Sequence, residues 1–208
     1  MRILPSIAFI ALFTSGPQLL AVTKRMAADY FTAYLSALKT APLLTKAITG
    51  GVTALLGDVV AQMIARVCGT SSRWNFSSNL RFFLFGFVIH GPQMHLTYKY
   101  LIPQVTLGAS LLTNSVVQCA VLQGLSTPSV LINFFLFMGL LTRTVPFAEM
   151  KAKLWPTYGK HLKYMTIPVL LSLLMPADLR APYMSSCQIP WNAFLSYMKS
   201  CKPDQDIY

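Results

Sequence analysis

The run Pro42–Val67, PLLTKAITGGVTALLGDVVAQMIARV, constrains the fold of this chain more than any other segment. It is apolar and exceeds the ~20 residues a helix needs to cross a bilayer. Yet Lys46, Asp58 and Gln62 interrupt it, and Lys46, Gly50, Ala54, Asp58 and Gln62 recur at every fourth position. On an α-helix that spacing draws one slowly drifting stripe of small and polar side chains. Leu43, Leu44, Leu55, Leu56, Val59, Val60, Met63 and Ile64 lie mostly elsewhere on its surface. A charge at bilayer depth costs about 2.5–3.5 kcal/mol on insertion scales, so such a residue faces a bundle interior or a watery cavity. The run reads as one wall of a polar interior in a small membrane protein. The rival, a soluble amphipathic helix with a polar outer face, fits the rest of the chain poorly.

Of 208 residues, 54% are hydrophobic and only 11% charged, and the mean hydropathy is +0.54. Soluble domains carry about 25% charged residues, so the composition belongs to the membrane class. The seventeen Lys and Arg outnumber six Asp and Glu, for a net charge of +11. These cations are scattered over connections rather than gathered in a stripe, which points to anionic lipid headgroups and away from nucleic acid. Cys68, Cys119, Cys187 and Cys201 have no ligand-like spacing, and His90, His95 and His161 form no zinc pattern. With no glycine-rich phosphate loop and no GxSxG elbow, no catalytic, cofactor-binding or metal-binding residue is nominated. The expectation is a protein that is not an enzyme and carries no cofactor.

Along the chain, residues 1–25 form an N-terminal hydrophobic segment whose apolar block, 3–22, is broken by Pro5 and Gly16-Pro17. An uncleaved segment is favoured over an extra span, a signal anchor or a cleaved signal peptide. The membrane domain is expected over 26–198 and a polar tail over 199–208. Residues 26–40 suit a short interfacial helix, and Pro42 suits the first turn of the span that follows. A polar loop, 68–79, leads to a Phe-rich span over about 80–101, kinked by Gly91-Pro92. Residues 107–141 are either one kinked helix or two segments, interrupted by Gly124, Ser126, Thr127 and Pro128. Residues 142–163 read as a cationic connection with Trp155 and Tyr158 in the headgroup zone. The short apolar stretches 164–175 and 183–198, separated by Pro176, Asp178, Arg180 and Pro182, together make one broken span.

Three strings in this order resemble the peroxisomal membrane protein two / Mpv-seventeen family of small peroxisomal and mitochondrial inner-membrane proteins. The first is Tyr34-Leu35, Pro42 to Lys46, Gly50, Leu56-Gly57-Asp58 and Gln62. The second is Arg81, Gly86, then His90-Gly91-Pro92-Gln93-Met94-His95 and Tyr98, similar to the family's GPxxHxWY. The third is Pro176, Arg180 and Trp191-Asn192-Ala193-Phe194-Leu195-Ser196, similar to its closing WNxxLS. The resemblance covers about residues 30–198. Departures are a Val117-Gln118 pair in place of Asp-Gln, Thr97 where Trp is frequent, Tyr164 and Ile167 for tryptophans before Pro168, and a shortened stretch from Pro168 to Pro176.

Together these readings give an all-α integral membrane helix bundle of about four principal transmembrane helices. The resemblance implies a channel-like pore for small solutes or metabolites in an organelle membrane, peroxisomal before mitochondrial inner membrane. The rival is a non-conducting scaffold or regulatory subunit maintaining membrane homeostasis. Expected partners are the lipid bilayer, small solutes or metabolites and further copies of the chain, with no nucleic acid. Lys46, Asp58, Gln62, Arg81, His90, His95 and Gln118 are the candidate pore-lining or intramembrane polar residues. Gly57, Gly91, Pro92, Tyr98, Pro176, Arg180, Trp191 and Asn192 are candidate structural positions. For Asp58, pairing with a base from another helix, such as Arg81, is preferred to lining a pore, and the two are compatible. His90 and His95 are expected to satisfy backbone groups freed at the proline kink.

Overall fold

The computed structural model describes residues 23–70, 73–108 and 110–200, every long element of which is helical. Residues 1–22, most of the expected N-terminal segment, and 201–208, most of the polar tail, lie outside these. Helix α1 spans 23–40, where an interfacial helix was expected; it belongs to a first unit, Met1–Pro42, distinct from a second, Leu43–Tyr208.

In the second unit α2 (Pro42–Val67) is one uninterrupted helix. The next rod runs through α3 (Phe76–Phe85), a π-helical stretch Gly86–His90, α4 (Gly91–Leu96), a second π-stretch Thr97–Leu101 and α5 (Ile102–Gln104). A third comprises α6 (Leu111–Val121), a π-stretch Leu122–Ser126 and α7 (Thr127–Thr142). Two further rods are α8 (Pro146–Leu174) and α9 (Ala177–Ser200).

Each π-stretch precedes a proline: Pro92, Pro103 and Pro128. A proline ring inside a helix clashes with the carbonyl four residues earlier, here that of Val88, Lys99 or Gly124, and lacks an N–H to bond it. Widening the turn to π geometry makes room for the ring while keeping the rod continuous. Residues 107–141 thus resolve mainly as one interrupted rod. Pro156, Pro168, Pro182 and Pro190 sit in α8 and α9 without such a stretch.

The all-α bundle is the expected class, but its final third is arranged differently. Most of the connection read over 142–163 is the first half of α8. The single broken span read over 164–198 divides between α8 and α9. The reason lies at Pro176 and Arg180. After Met175 leaves the helix, Arg180 donates from Nε to the Met175 carbonyl at 2.9 Å and from Nη2 to the Leu173 carbonyl at 2.9 Å. It caps α8 and turns the chain back antiparallel.

Packing explains the close approach of the rods. Gly50 meets the backbone of Gly86 and Gly91, and a Cβ on Gly50 would lie 2.7 Å from the Gly86 carbonyl oxygen. Gly57 meets Asn192 with no room for a methyl group. Such small-residue contacts let backbones approach where hydrocarbon solvent gives apolar side chains no drive to associate. Between the rods, Phe82, Phe85, Leu131, Phe134, Phe135, Met138, Met165, Trp191 and Leu195 form one buried cluster, with Phe85 and Phe134 edge-on at 5.1 Å.

Outward, the pattern inverts. On α2 the buried residues are Ala47, Gly50, Gly51, Thr53, Ala54, Gly57 and Asp58, while Leu43, Leu44, Ile48, Val52, Leu56, Met63 and Ile64 are exposed. That arrangement is suited to lipid as solvent. Pro42–Val67 and Leu111–Thr142 are each long and apolar enough to cross a membrane.

Candidate functional site

The α2 stripe faces inward along most of its length, and Asp58 is its focus. This carboxylate is 0% exposed. Its Oδ1 accepts from the hydroxyls of Ser78 at 2.9 Å and Ser196 at 2.6 Å. Its Oδ2 accepts from the amides of Asn79 at 2.7 Å and Gln62 at 2.8 Å. Hydrogen bonds to a charged acceptor contribute about 1.5–3 kcal/mol each, so four neutral donors can hold an ionised carboxylate without a cation. The cage is itself braced. Gln62 exchanges hydrogen bonds with Asn75, donating to its carbonyl at 3.1 Å and accepting from its N–H at 2.8 Å. Asn75 also caps α3, its side chain accepting from the Ser78 N–H at 3.0 Å, and Trp74 Nε1 donates to Asn79 at 2.8 Å. One carboxylate therefore ties α2 to the start of α3 and the end of α9.

The expected partnership of Asp58 with Arg81 does not form. The carboxylate oxygens are taken by amides and hydroxyls, and Arg81 makes no ion pair among the described residues. Lys46, near the opposite end of α2, lies over the Tyr98 ring at 5.9 Å.

A second constellation surrounds a cavity of about 50 Å³, large enough for a small cluster of waters. His90, Tyr98, His161, Gln188, Trp191 and Asn192 are among its walls. His161 sits edge-on to Trp191 at 4.7 Å, and its Nδ1 is buried with no protein partner. His95 is not on this wall, and its Nδ1 is likewise buried without a partner. Beside the cavity Tyr158 donates to the Gln123 carbonyl at 3.0 Å, and Gln123 donates to Thr166 at 3.1 Å. Gln93, within the Gly91–His95 string, donates to Ser129 at 2.9 Å and accepts from Asn133 at 2.9 Å. These polar links join the second rod to α7, and the π-stretch Leu122–Ser126 of the third rod to α8.

The candidate residues thus separate. Asp58 and Gln62 share the cage, while His90, Tyr98, Trp191 and Asn192 share the cavity. Gln118 belongs to neither and donates to Thr106 at 3.1 Å near the α5–α6 connection. Gly57 and Gly91 allow close packing, Pro92 follows a π-stretch, and Pro176 and Arg180 shape the α8–α9 turn. Among the described residues no group of three or more His, Cys, Asp and Glu could hold a metal ion.

Sequence reasoning missed several of the residues assembled here: Ser78, Asn79, His161, Gln188, and the trio Glu149, Lys153 and Lys199. Lys153, 1% exposed, donates to Glu149 at 3.1 Å and to the carbonyls of Met198 at 2.8 Å and Lys199 at 3.3 Å. Lys199 pairs with the other oxygen of Glu149. A signal for part of this set was present. Lys153, Thr157, His161 and Met165 recur every fourth residue and are all buried on α8, repeating the spacing of the α2 stripe.

Small and polar residues turned inward, with aliphatic residues outward, define an all-α membrane helix bundle with a hydrogen-bonded polar core. Comparison with known proteins bears on which one. The chain is 26% identical over 171 residues to PXMP2/4 family protein 4 of Dictyostelium discoideum, covering 80% of this chain and 91% of that protein. It is 28% identical over 170 residues to peroxisomal membrane protein 2 of Bos taurus, covering 78% and 86%. It is also 28% identical over 170 residues to protein sym-1 of Neurospora crassa, covering 79% and 96%. No family profile and no solved structure matches it. Over about four-fifths of its length the chain is thus similar, at 26–28% identity, to proteins of the peroxisomal membrane protein 2 group and to sym-1.

Proposed function

We propose that this chain is a multi-pass, non-enzymatic protein of the peroxisomal membrane whose interior passes small solutes or metabolites. The observation that carries this reading is the inverted α2, with Gly50, Ala54 and Asp58 inward and Leu43, Ile48, Leu56 and Ile64 outward. A helix of that kind separates lipid from a polar interior. The cavity beside His90, His161 and Gln188 supplies hydrogen-bonding groups suited to a small polar solute. In this conformation Phe82, Phe85, Phe134 and Phe135 pack the adjoining interior, so passage requires the rods to part.

The peroxisomal address draws on the name of the Bos taurus relative, and the mitochondrial inner membrane is the alternative. Tagged full-length protein is expected to co-localise with a peroxisomal membrane marker; overlap with a mitochondrial marker alone reverses that order.

A non-conducting scaffold or regulatory subunit is the second reading. It is favoured by the enclosure of Asp58, whose oxygens are both committed to protein donors. Purified protein in planar bilayers separates the two. Stepwise conductance that changes when His161 or Gln188 is replaced is expected for the pore. Silent bilayers containing folded protein support the scaffold.

A further inference from the structure

Among the described residues, one end of the bundle holds more positive charge than its carboxylates neutralise. There α2 ends, α3 and α8 begin, and α9 ends. Glu149 serves two lysines, Lys153 and Lys199. Lys153 has further bonds to the α9 carbonyls, so its ammonium is committed to the protein. Lys199 places one donor on Glu149, and Arg81 lies within electrostatic reach of it. Arg81 itself is half-buried, makes no hydrogen bond or ion pair among the described residues, and has its Nε buried without an acceptor. The nearby carboxylate of Asp58 offers nothing, because its oxygens already take four donors.

A planar guanidinium with an unmet buried donor and a lysine with spare N–H groups is a donor set for a tetrahedral oxyanion. We propose that Arg81 and Lys199 bind a negatively charged phosphate group, for which the source at hand is an anionic phospholipid of the surrounding membrane. Basic pockets between helices at a membrane surface hold headgroups in this way. The setting is interfacial: Arg66 stacks over Trp74 at 4.2 Å, and Phe76 and Phe147, at the starts of α3 and α8, are exposed. The site is independent of whether the bundle conducts.

The test uses the full chain in neutral detergent, titrated with dioctanoyl phosphatidic acid, dioctanoyl phosphatidylcholine or inorganic phosphate, with thermal unfolding as readout. Phosphatidic acid is expected to raise Tm saturably and phosphatidylcholine to leave it unchanged. Arg81→Gln should weaken the response about tenfold, the loss of roughly one charge-assisted pair. Lys151→Gln, an exposed lysine at the same end, should respond as the unaltered chain does. If inorganic phosphate raises Tm with the same Arg81 dependence, the phosphate site stands and its source is soluble. Should Arg81→Gln fail to fold, Arg81→Lys carries the test: it keeps the charge but not the fork, and binding is expected to fall several-fold. Equal responses from Arg81→Lys or Arg81→Gln and the unaltered chain overturn the proposal.

Discussion

Replacing Asp58 with leucine is expected to abolish most folded protein, whereas Asp58→Asn should leave a weakened but native bundle. The difference follows from which donors meet which oxygen. Oδ1 receives two hydroxyls, Ser78 and Ser196, and Oδ2 receives two amides, Asn79 and Gln62. An asparagine fits this cage in one orientation, its oxygen toward the amides and its NH2 toward the hydroxyls, which rotate to accept. All four hydrogen bonds survive, but the charge that strengthens them is lost, at a cost of about 1–3 kcal/mol. Leucine offers no acceptor. The amide donors of Asn79 and Gln62 cannot become acceptors without turning their side chains over, and each stranded donor costs about 1–3 kcal/mol. Two stranded amides and two stranded hydroxyls together exceed half the stability of an ordinary domain. Thermal unfolding in detergent, read for the native chain, Asp58→Asn and Asp58→Leu, checks the order. Equal melting of all three would show that the cage contributes nothing.

Glu149→Gln should be nearly as damaging. Glu149 bonds both Lys153 and Lys199, and Lys153 is enclosed. Removing one partner of a buried pair leaves an uncompensated charge and costs about 3–5 kcal/mol. Lys153 keeps its bonds to the Met198 and Lys199 carbonyls, so the damage should centre on the contact between the start of α8 and the end of α9. Adding Lys199→Met to Glu149→Gln removes a lysine that has lost its carboxylate and is expected to recover part of the loss. That gain, measured as a non-additive change in Tm, reports the coupling directly. Strict additivity would mean that the pair contributes no interaction of its own.

How much of this was legible beforehand differs between α2 and α8. Around α2 the reading was nearly complete, because a four-residue recurrence is a property of the helix itself: Gly50, Ala54 and Asp58 lie on one face wherever the helix goes. The partner of Asp58 was not legible. Charge chemistry nominated Arg81, yet Ser78, Asn79 and Ser196 do the work from 20, 21 and 138 residues away in sequence. Neutral serines and asparagines carry no long-range signature, and several of them replace a cation only when the packing brings them together. In α8 the lysines over 151–163 read as a surface connection. Lys153 turns inward because the end of α9 presents carbonyls for it to bond, which no local pattern announces.

By itself, then, the sequence determined the helical class, the inverted surface of α2, the interruptions at Pro92 and Pro128, and the likeness to a family of small membrane proteins. These are local or compositional, resting on side-chain periodicity and on transfer between water and lipid. Tertiary structure decided that α8 and α9 are separate antiparallel rods, that Asp58 is held by neutral donors, and that Arg81 has no ion pair among the described residues. Each of those depends on which helix faces the other at what height, and that register is set by contacts such as Gly57 on Asn192 and Gly50 on Gly86, between residues far apart in the chain.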